Sequence, residues 1–345
     1  MSEVSQARSE ERAIPTGQPN GSGAPLIEAR KVGKVFLSGG IFSHKETHAV
    51  DDLDMVFPSD RPRIISLIGE SGSGKTTLAR MILRLTAPTT GQVLYLGKDI
   101  TKLSGADRKQ YRKEVQAVFQ DPYGIYNPFY KVDRTMRTTA SQFGLARSRD
   151  EEQTLIEEAL RAVDLRPPDV LGRYPHQLSG GERQRVMLAR LFMLKPRLVV
   201  ADEPVSMIDA AVRTLFLNIL LDFRDKLGIS TLFITHNLAT ANYLGGDVVV
   251  LYRGRVVEEG SIDQIIQAPK HPYTQVLLQS VPVADPKHRW AVDETVVGEE
   301  VKELPGRERC LFAERCPHAV DRCLAGRPKV VTLEDGRQVA CTLYY

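Results

Sequence analysis

The stretch Gly69-Glu70-Ser71-Gly72-Ser73-Gly74-Lys75-Thr76-Thr77 holds the residue types that bind a polyphosphate, at the spacing G-x-x-x-x-G-K-[ST]. A polyphosphate brings several negative charges into a small space. Glycines let the backbone curl until successive N–H groups point inward, and a helix starting at the loop adds its positive dipole end. On this reading Lys75 reaches the β- and γ-phosphates and the Thr76 hydroxyl ligates Mg²⁺. The flanks agree: residues 64–68 read as a buried strand and residues 78–83 open a helix. The competing reading, a Gly/Ser-rich loop matching by accident, needs neither flank.

Two more stretches carry chemistry. Leu178-Ser179-Gly180-Gly181-Glu182 precedes a helix, where Ser179, Gly180 and Gly181 can hold an oxyanion. The same residues also read as a plain capping box, with Ser179 as N-cap and Glu182 as its partner three residues on. Asp202 ends the apolar run 198–201, and a carboxylate there is costly unless a cation compensates it; Mg²⁺ on the phosphates would do so. Glu203 is then placed to orient and deprotonate an attacking water. An acidic pair opening a turn before Pro204 is the bland alternative. Gln120 follows a strand ending at Phe119, within reach of Mg²⁺ or the water. His236 follows the strand 231–234, in reach of a γ-phosphate, although a lone His there is more often a hydrogen-bonded cap.

The elements that must position these groups form an alternating pattern. Residues 1–24 are polar and read as a disordered tail. Short segments at 26–29, 34–36 and 54–57 read as antiparallel strands around an exposed polar turn, 38–47. Strands at 92–95 and 115–119 follow, and the stretch 120–195 has helical spacing. Strands at 198–201 and 231–234 flank a helix through 215–221, and a hairpin turns at Arg253-Gly254. The expected fold is α/β: a phosphate-loop core over 25–282 with an N-terminal antiparallel β subdomain and an inserted α-helical subdomain. A loop-rich extension, 283–345, contains all four cysteines of the chain, Cys310, Cys316, Cys323 and Cys341. Net charge of +3 over 345 residues is too mild to argue for nucleic acid. No apolar run suggests a membrane span, and the N-terminus does not read as a signal peptide, so the expected place is the cytosol.

This order of motifs resembles the nucleotide-binding subunit of ABC transporters over about residues 25 to 282. The matches are the Walker A loop (69–76), the Q-loop Gln120, the signature 178–182, the Walker B Asp202 with Glu203, the D-loop Ser206-Met207-Ile208-Asp209 and the switch His236. Met207-Ile208 stands where Ala-Leu is common. Phe36 falls where the family stacks an aromatic on adenine; a core strand aromatic is the other reading. The resemblance implies ATP and Mg²⁺ as ligands and head-to-tail pairing with a second ATPase subunit, expected to be a different chain. Ser179, Gly180 and Gly181 would complete the opposite ATP site. It also implies two membrane permease subunits, an extracytoplasmic solute-binding protein, and work at the cytosolic face of the membrane. A soluble ATPase acting on ribosomes or DNA is the alternative class, and a catalytically dead regulatory subunit a third. Ribosome-acting members carry two such domains, DNA-repair members carry coiled-coil insertions, and Glu203 and His236 are those of a competent site.

The extension narrows the resemblance. His271-Pro272-Tyr273-Thr274-Gln275, the segment 310–317 and Val339-Ala340-Cys341 look like the C-terminal region of oligopeptide/dipeptide importer ATPases, a group that includes oligosaccharide and nickel transporters. Arg309 stands where that group often has Gly. The spacings C-x₅-C, C-x₆-C and C-x₁₇-C lack the tight pairs of zinc sites. Four such cysteines, shared with this subfamily, suit a [4Fe–4S] cluster, with zinc second and free thiols third.

Overall fold

The computed structural model describes residues 23–38, 45–121, 124, 126–280 and 306–345. The tail expected over 1–24 falls almost wholly outside them, as do most of the turn 38–47 and the first part of the extension.

Twelve strands are described. They are β1 (Ile27–Ser38), β2 (Lys45–Phe57), β3 (Ile64–Ile68), β4 (Thr90–Tyr95), β5 (Lys98–Asp99) and β6 (Val115–Val118). Then come β7 (Leu198–Asp202), β8 (Ser230–Ile234), β9 (Asp247–Tyr252), β10 (Arg255–Ser261), β11 (Val330–Thr332) and β12 (Gln338–Ala340). One antiparallel sheet has the order β2-β1-β4-β5, and a larger one runs β11-β12-β10-β9-β3-β8-β7-β6. In the larger sheet β9, β3, β8, β7 and β6 are parallel. Every residue of β3, β7 and β8 is buried, which is why these strands read as unbroken apolar runs. Register aligns their carboxyl ends: Leu67 of β3 pairs with Ile234 of β8, and Ile234 pairs with Asp202 of β7. In such sheets ligands bind beyond those ends.

The helices Asp133–Phe143, Arg149–Ala162 and Gly180–Leu194 fill the stretch expected to be helical. They share a core of Met136, Ala140, Ile156, Leu160, Val186, Leu188 and Leu191. Ser148 caps the second, its Oγ accepting from the Glu151 N–H at 3.1 Å, with three acids in the first turn.

Two findings differ from the sequence reading. The short segments at 26–29 and 34–36 are one strand, β1, whose register on β2 shifts between Ala29 and Val35. Such irregularities break the period-2 alternation, so one strand reads as pieces. The extension is not only loop: β11 and β12 form a hairpin that pairs Val339 with Glu258 and lengthens the main sheet. Strands of three residues show no readable period.

Candidate active site at the carboxyl edge of the sheet

The loop after β3 packs against the β9–β10 turn. Gly69 has φ 154° and Gly74 φ 106°, and a Cβ on either would lie 2.2 Å from the Leu251 carbonyl oxygen or 2.0 Å from that of Ala49. Only glycine allows this approach. Gly74 leads directly into the helix Lys75–Ile82, so that helix's free N–H groups face the loop. Gly72 and Ser71 form the exposed rim, Ser73 is buried, and Thr77 is half-buried in the first helical turn.

Lys75 is buried, and its Nζ donates to the carbonyl oxygens of Gly69 and Glu70, both at 2.8 Å. Burial pulls its pKa down, while Glu203, Asp202 and Glu70 push the other way. The Thr76 hydroxyl donates to Asp202 Oδ1 at 3.3 Å. Burial raises the Asp202 carboxyl, and Glu203 adds to the rise, against the Thr76 hydrogen bond and the Lys75 charge. A buried carboxylate with a hydroxyl beside it is a donor pair that suits one Mg²⁺ shared with phosphate oxygens.

Glu203 has a left-handed backbone, φ 47°, uncommon for a residue with a side chain. Its N–H donates to the Ile234 carbonyl at 2.9 Å, and its own carbonyl accepts from the Ser206 hydroxyl at 3.0 Å. That turn sends the carboxylate to within 3.1 Å of His236 Nδ1. Lys75, Thr76, Asp202, Glu203 and His236 therefore share one edge.

The other candidates are placed separately. Gln120 is exposed two residues past β6. Phe36 is 43% exposed on β1, with Lys34 Nζ 5.2 Å from the ring centre, so it is not the core aromatic of the alternative reading. Ser179 and Glu182 do form the capping box: Ser179 Oγ accepts from the Glu182 N–H at 3.2 Å, and Glu182 Oε2 from the Ser179 N–H at 2.7 Å. Ser179 stays exposed, and Gly181 abuts Val212, where a Cβ would lie 2.6 Å from Cγ1. Asp209 caps the helix Ala210–Leu227, accepting from the Val212 N–H at 2.9 Å.

The cysteines do not form a ready metal site. Among the described residues no group of three or more His, Cys, Asp or Glu side chains is arranged to hold a metal ion. Cys323 Sγ contacts Thr342 Oγ1 at 3.1 Å. Burial pushes the Cys310, Cys316 and Cys341 thiols up, Cys341 to about 11. The structure thus gives no support to the expected [4Fe–4S] cluster or to zinc.

A network that the sequence reading missed joins Glu70 to two distant residues. The Glu70 N–H donates to the Tyr273 hydroxyl at 2.8 Å, and its carboxylate takes both Nη atoms of Arg315, at 3.1 and 3.2 Å. No local pattern signals partners more than 200 residues away.

Comparison with known proteins shows the family. The family described as "ABC transporter" matches residues 53–206, and "Oligopeptide/dipeptide transporter, C-terminal region" matches 257–323. A protein of Sinorhizobium fredii described as a probable peptide ABC transporter ATP-binding protein is 40% identical over 84% of this chain and 81% of its own. A di/tripeptide transport ATP-binding protein of Pseudomonas aeruginosa is 37% identical over 88% of this chain and 93% of its own. Among solved structures, a dimeric ATP-binding cassette bound to ADP and Pi matches with TM-score 0.59 and 22% identity, covering 69% of this chain and 99% of that one. No described helix is long and apolar enough to cross a membrane. The chain belongs to the ABC transporter family, as an ATP-binding, ATP-hydrolysing subunit whose C-terminal region is of the oligopeptide/dipeptide transporter type.

Proposed function

We propose that this subunit powers import of oligopeptides, dipeptides or related solutes, including oligosaccharides and nickel, through a membrane permease at the cytosolic face of the membrane. The observation that carries the reading is the convergence of Lys75, the Thr76–Asp202 pair and the Glu203–His236 pair on one sheet edge, in a chain with a peptide-type C-terminal region.

In this reading the loop 69–77 cradles the ATP phosphates, and Phe36 stacks on the adenine. Thr76, Asp202 and Gln120 hold Mg²⁺, which supplies charge neutralisation on the phosphates. Glu203 takes the proton of the attacking water, and His236 orients the carboxylate and meets the γ-phosphate. The helix N-terminus at Ser179, Gly180 and Gly181, exposed at Ser179, faces the ATP of a second ATPase subunit, with Asp209 at the same seam. ATP then joins the pair and hydrolysis releases it.

A groove of about 1190 Å³ supports permease docking. It runs between the helix Gly105–Glu114, β6 and the helix Asp133–Phe143, lined by Phe119, Tyr126, Tyr130, Arg108, Arg112 and Arg134. Aromatic and cationic walls suit a short helix bearing apolar and acidic side chains, and Phe119 is the neighbour of Gln120. The cluster also stays in this proposal. The Cys310 N–H donates to the Cys323 carbonyl at 2.8 Å, which holds two of the four cysteine backbones side by side. Anaerobically purified protein would then carry about four irons per chain; stoichiometric zinc, or no metal, would remove it.

The deciding experiment is a pull-down from gently solubilised membranes with identification by mass spectrometry. Two polytopic permeases, a second ATPase and a solute-binding protein are expected. Ribosomal or DNA-repair proteins without a permease would replace the importer with a soluble ATPase.

A further inference from the structure

The extension reaches the phosphate loop through Arg315 on Glu70, a residue whose polar groups are all engaged. The Glu70 carbonyl accepts from Lys75 Nζ at 2.8 Å and from the Ser73 N–H at 3.2 Å. Its N–H goes to Tyr273, and its carboxylate to Arg315. Half of what fixes this peptide therefore comes from outside the loop.

Both outside partners are tightly held. Tyr273 is fully buried, its ring 4.5 Å from Tyr252 of β9 and 5.5 Å from Phe312 of the extension. Arg315 ends the short 3-10 turn Ala313–Arg315, which lies between Cys310 and Cys316. Its N–H donates to the Phe312 carbonyl at 3.0 Å, while the Ala313 N–H donates to Cys310 and the Cys316 N–H to Ala313. Whatever seats these two cysteines seats Arg315.

We infer that Arg315 and Tyr273 are positioning residues for the phosphate loop: they orient the Glu70 peptide and cancel its charge, so that ATP affinity depends on how the cysteine-bearing extension is seated. A loop that binds a polyanion is a poor place for a carboxylate. The field of Glu70 reaches Lys75, where it is one of the three acids favouring the charged ammonium. A guanidinium gripping both carboxylate oxygens removes that charge in a fixed geometry, which a point-like ammonium cannot do.

The inference rests on residues 69–77 being the ATP loop. The test is Mg–ATP binding and steady-state hydrolysis by the full-length protein as wild type, K75A, R315A, and R315A with E70Q. R315A is expected to weaken ATP binding about threefold to fivefold, the upper part of the range of a partly exposed ion pair. KM for ATP should rise with it and kcat should hold. Adding E70Q removes the uncompensated charge and should bring affinity back to within about twofold of wild type. Unchanged affinity in R315A would overturn the inference, and so would a loss that E70Q fails to rescue, since that is the mark of an extension merely come loose. Wild-type protein that binds no ATP, or K75A that binds as wild type does, would overturn the ATP-loop reading itself.

Discussion

At the scale of single residues, Glu203 joins a left-handed backbone to a carboxylate 3.1 Å from His236. The strain fits a group whose placement matters more than its local stability. As the proposed base, Glu203→Gln should keep ATP binding and lower turnover about 10²- to 10⁴-fold, measured as phosphate release. Unchanged turnover would assign the base elsewhere. Lys75→Ala should abolish measurable nucleotide binding, because its ammonium is the buried cation of the loop. These residues were legible in the sequence because a phosphate cradle is a local device: glycine positions, one lysine and one helix start within nine residues. Thr76 and Asp202 were each legible as Mg²⁺-directed residues, and the strand order that brings them together came from the structure. Arg315 on Glu70 was not, because an ion pair between a loop and a distant tail leaves no mark in either segment.

Among the elements, the seam between the extension and the sheet holds the testable physics. Phe312 is 1% exposed and packs edge-on to Tyr252 and Tyr273. Phe312→Ala should cost about 3 kcal/mol in a denaturant titration. The seam also buries titratable groups. His271 caps the helix Pro272–Gln279 as a neutral ring, its Nδ1 accepting from the Tyr273 N–H, and burial pulls its pKa down to about 4. The unfolded chain therefore binds the proton more tightly, and the stability this ring contributes is lost as pH falls from about 6.5 toward 4. Glu259 has the opposite sign. Burial and Asp247 push it up to about 7, so the folded state favours its neutral form and stability falls as pH rises from about 4.5 to 7. The two windows overlap and mask each other. Glu259→Gln should raise the melting temperature at pH 8 and leave it unchanged at pH 4; equal gains at both would refute the assignment. The hairpin of β11 and β12 escaped the sequence because it is formed by pairing to β10, not by its own pattern.

For the whole molecule, two sheets and a helical layer serve one edge, and the extension adds strands to the far side of the same sheet. The alternation of apolar strands and amphipathic helices made this architecture readable, because the central strands β3, β7 and β8 are buried throughout and carry their own signal. The cysteine tail was readable as a C-terminal region of the oligopeptide/dipeptide transporter type, but its fold was not, since that depends on what it docks against. Three guanidiniums gather there on one carboxylate. Arg255 lies 2.8 Å from Asp51, Arg307 3.2 Å and Arg327 3.8 Å, and together they outweigh burial and hold that carboxyl below its usual range. In this account one edge of the sheet binds Mg–ATP through the phosphate loop. Calorimetric titration of Mg–ATP into wild type, K75A and E203Q tests it most directly. One site per chain in wild type and E203Q, and none in K75A, is the predicted result; K75A binding with wild-type affinity would contradict it.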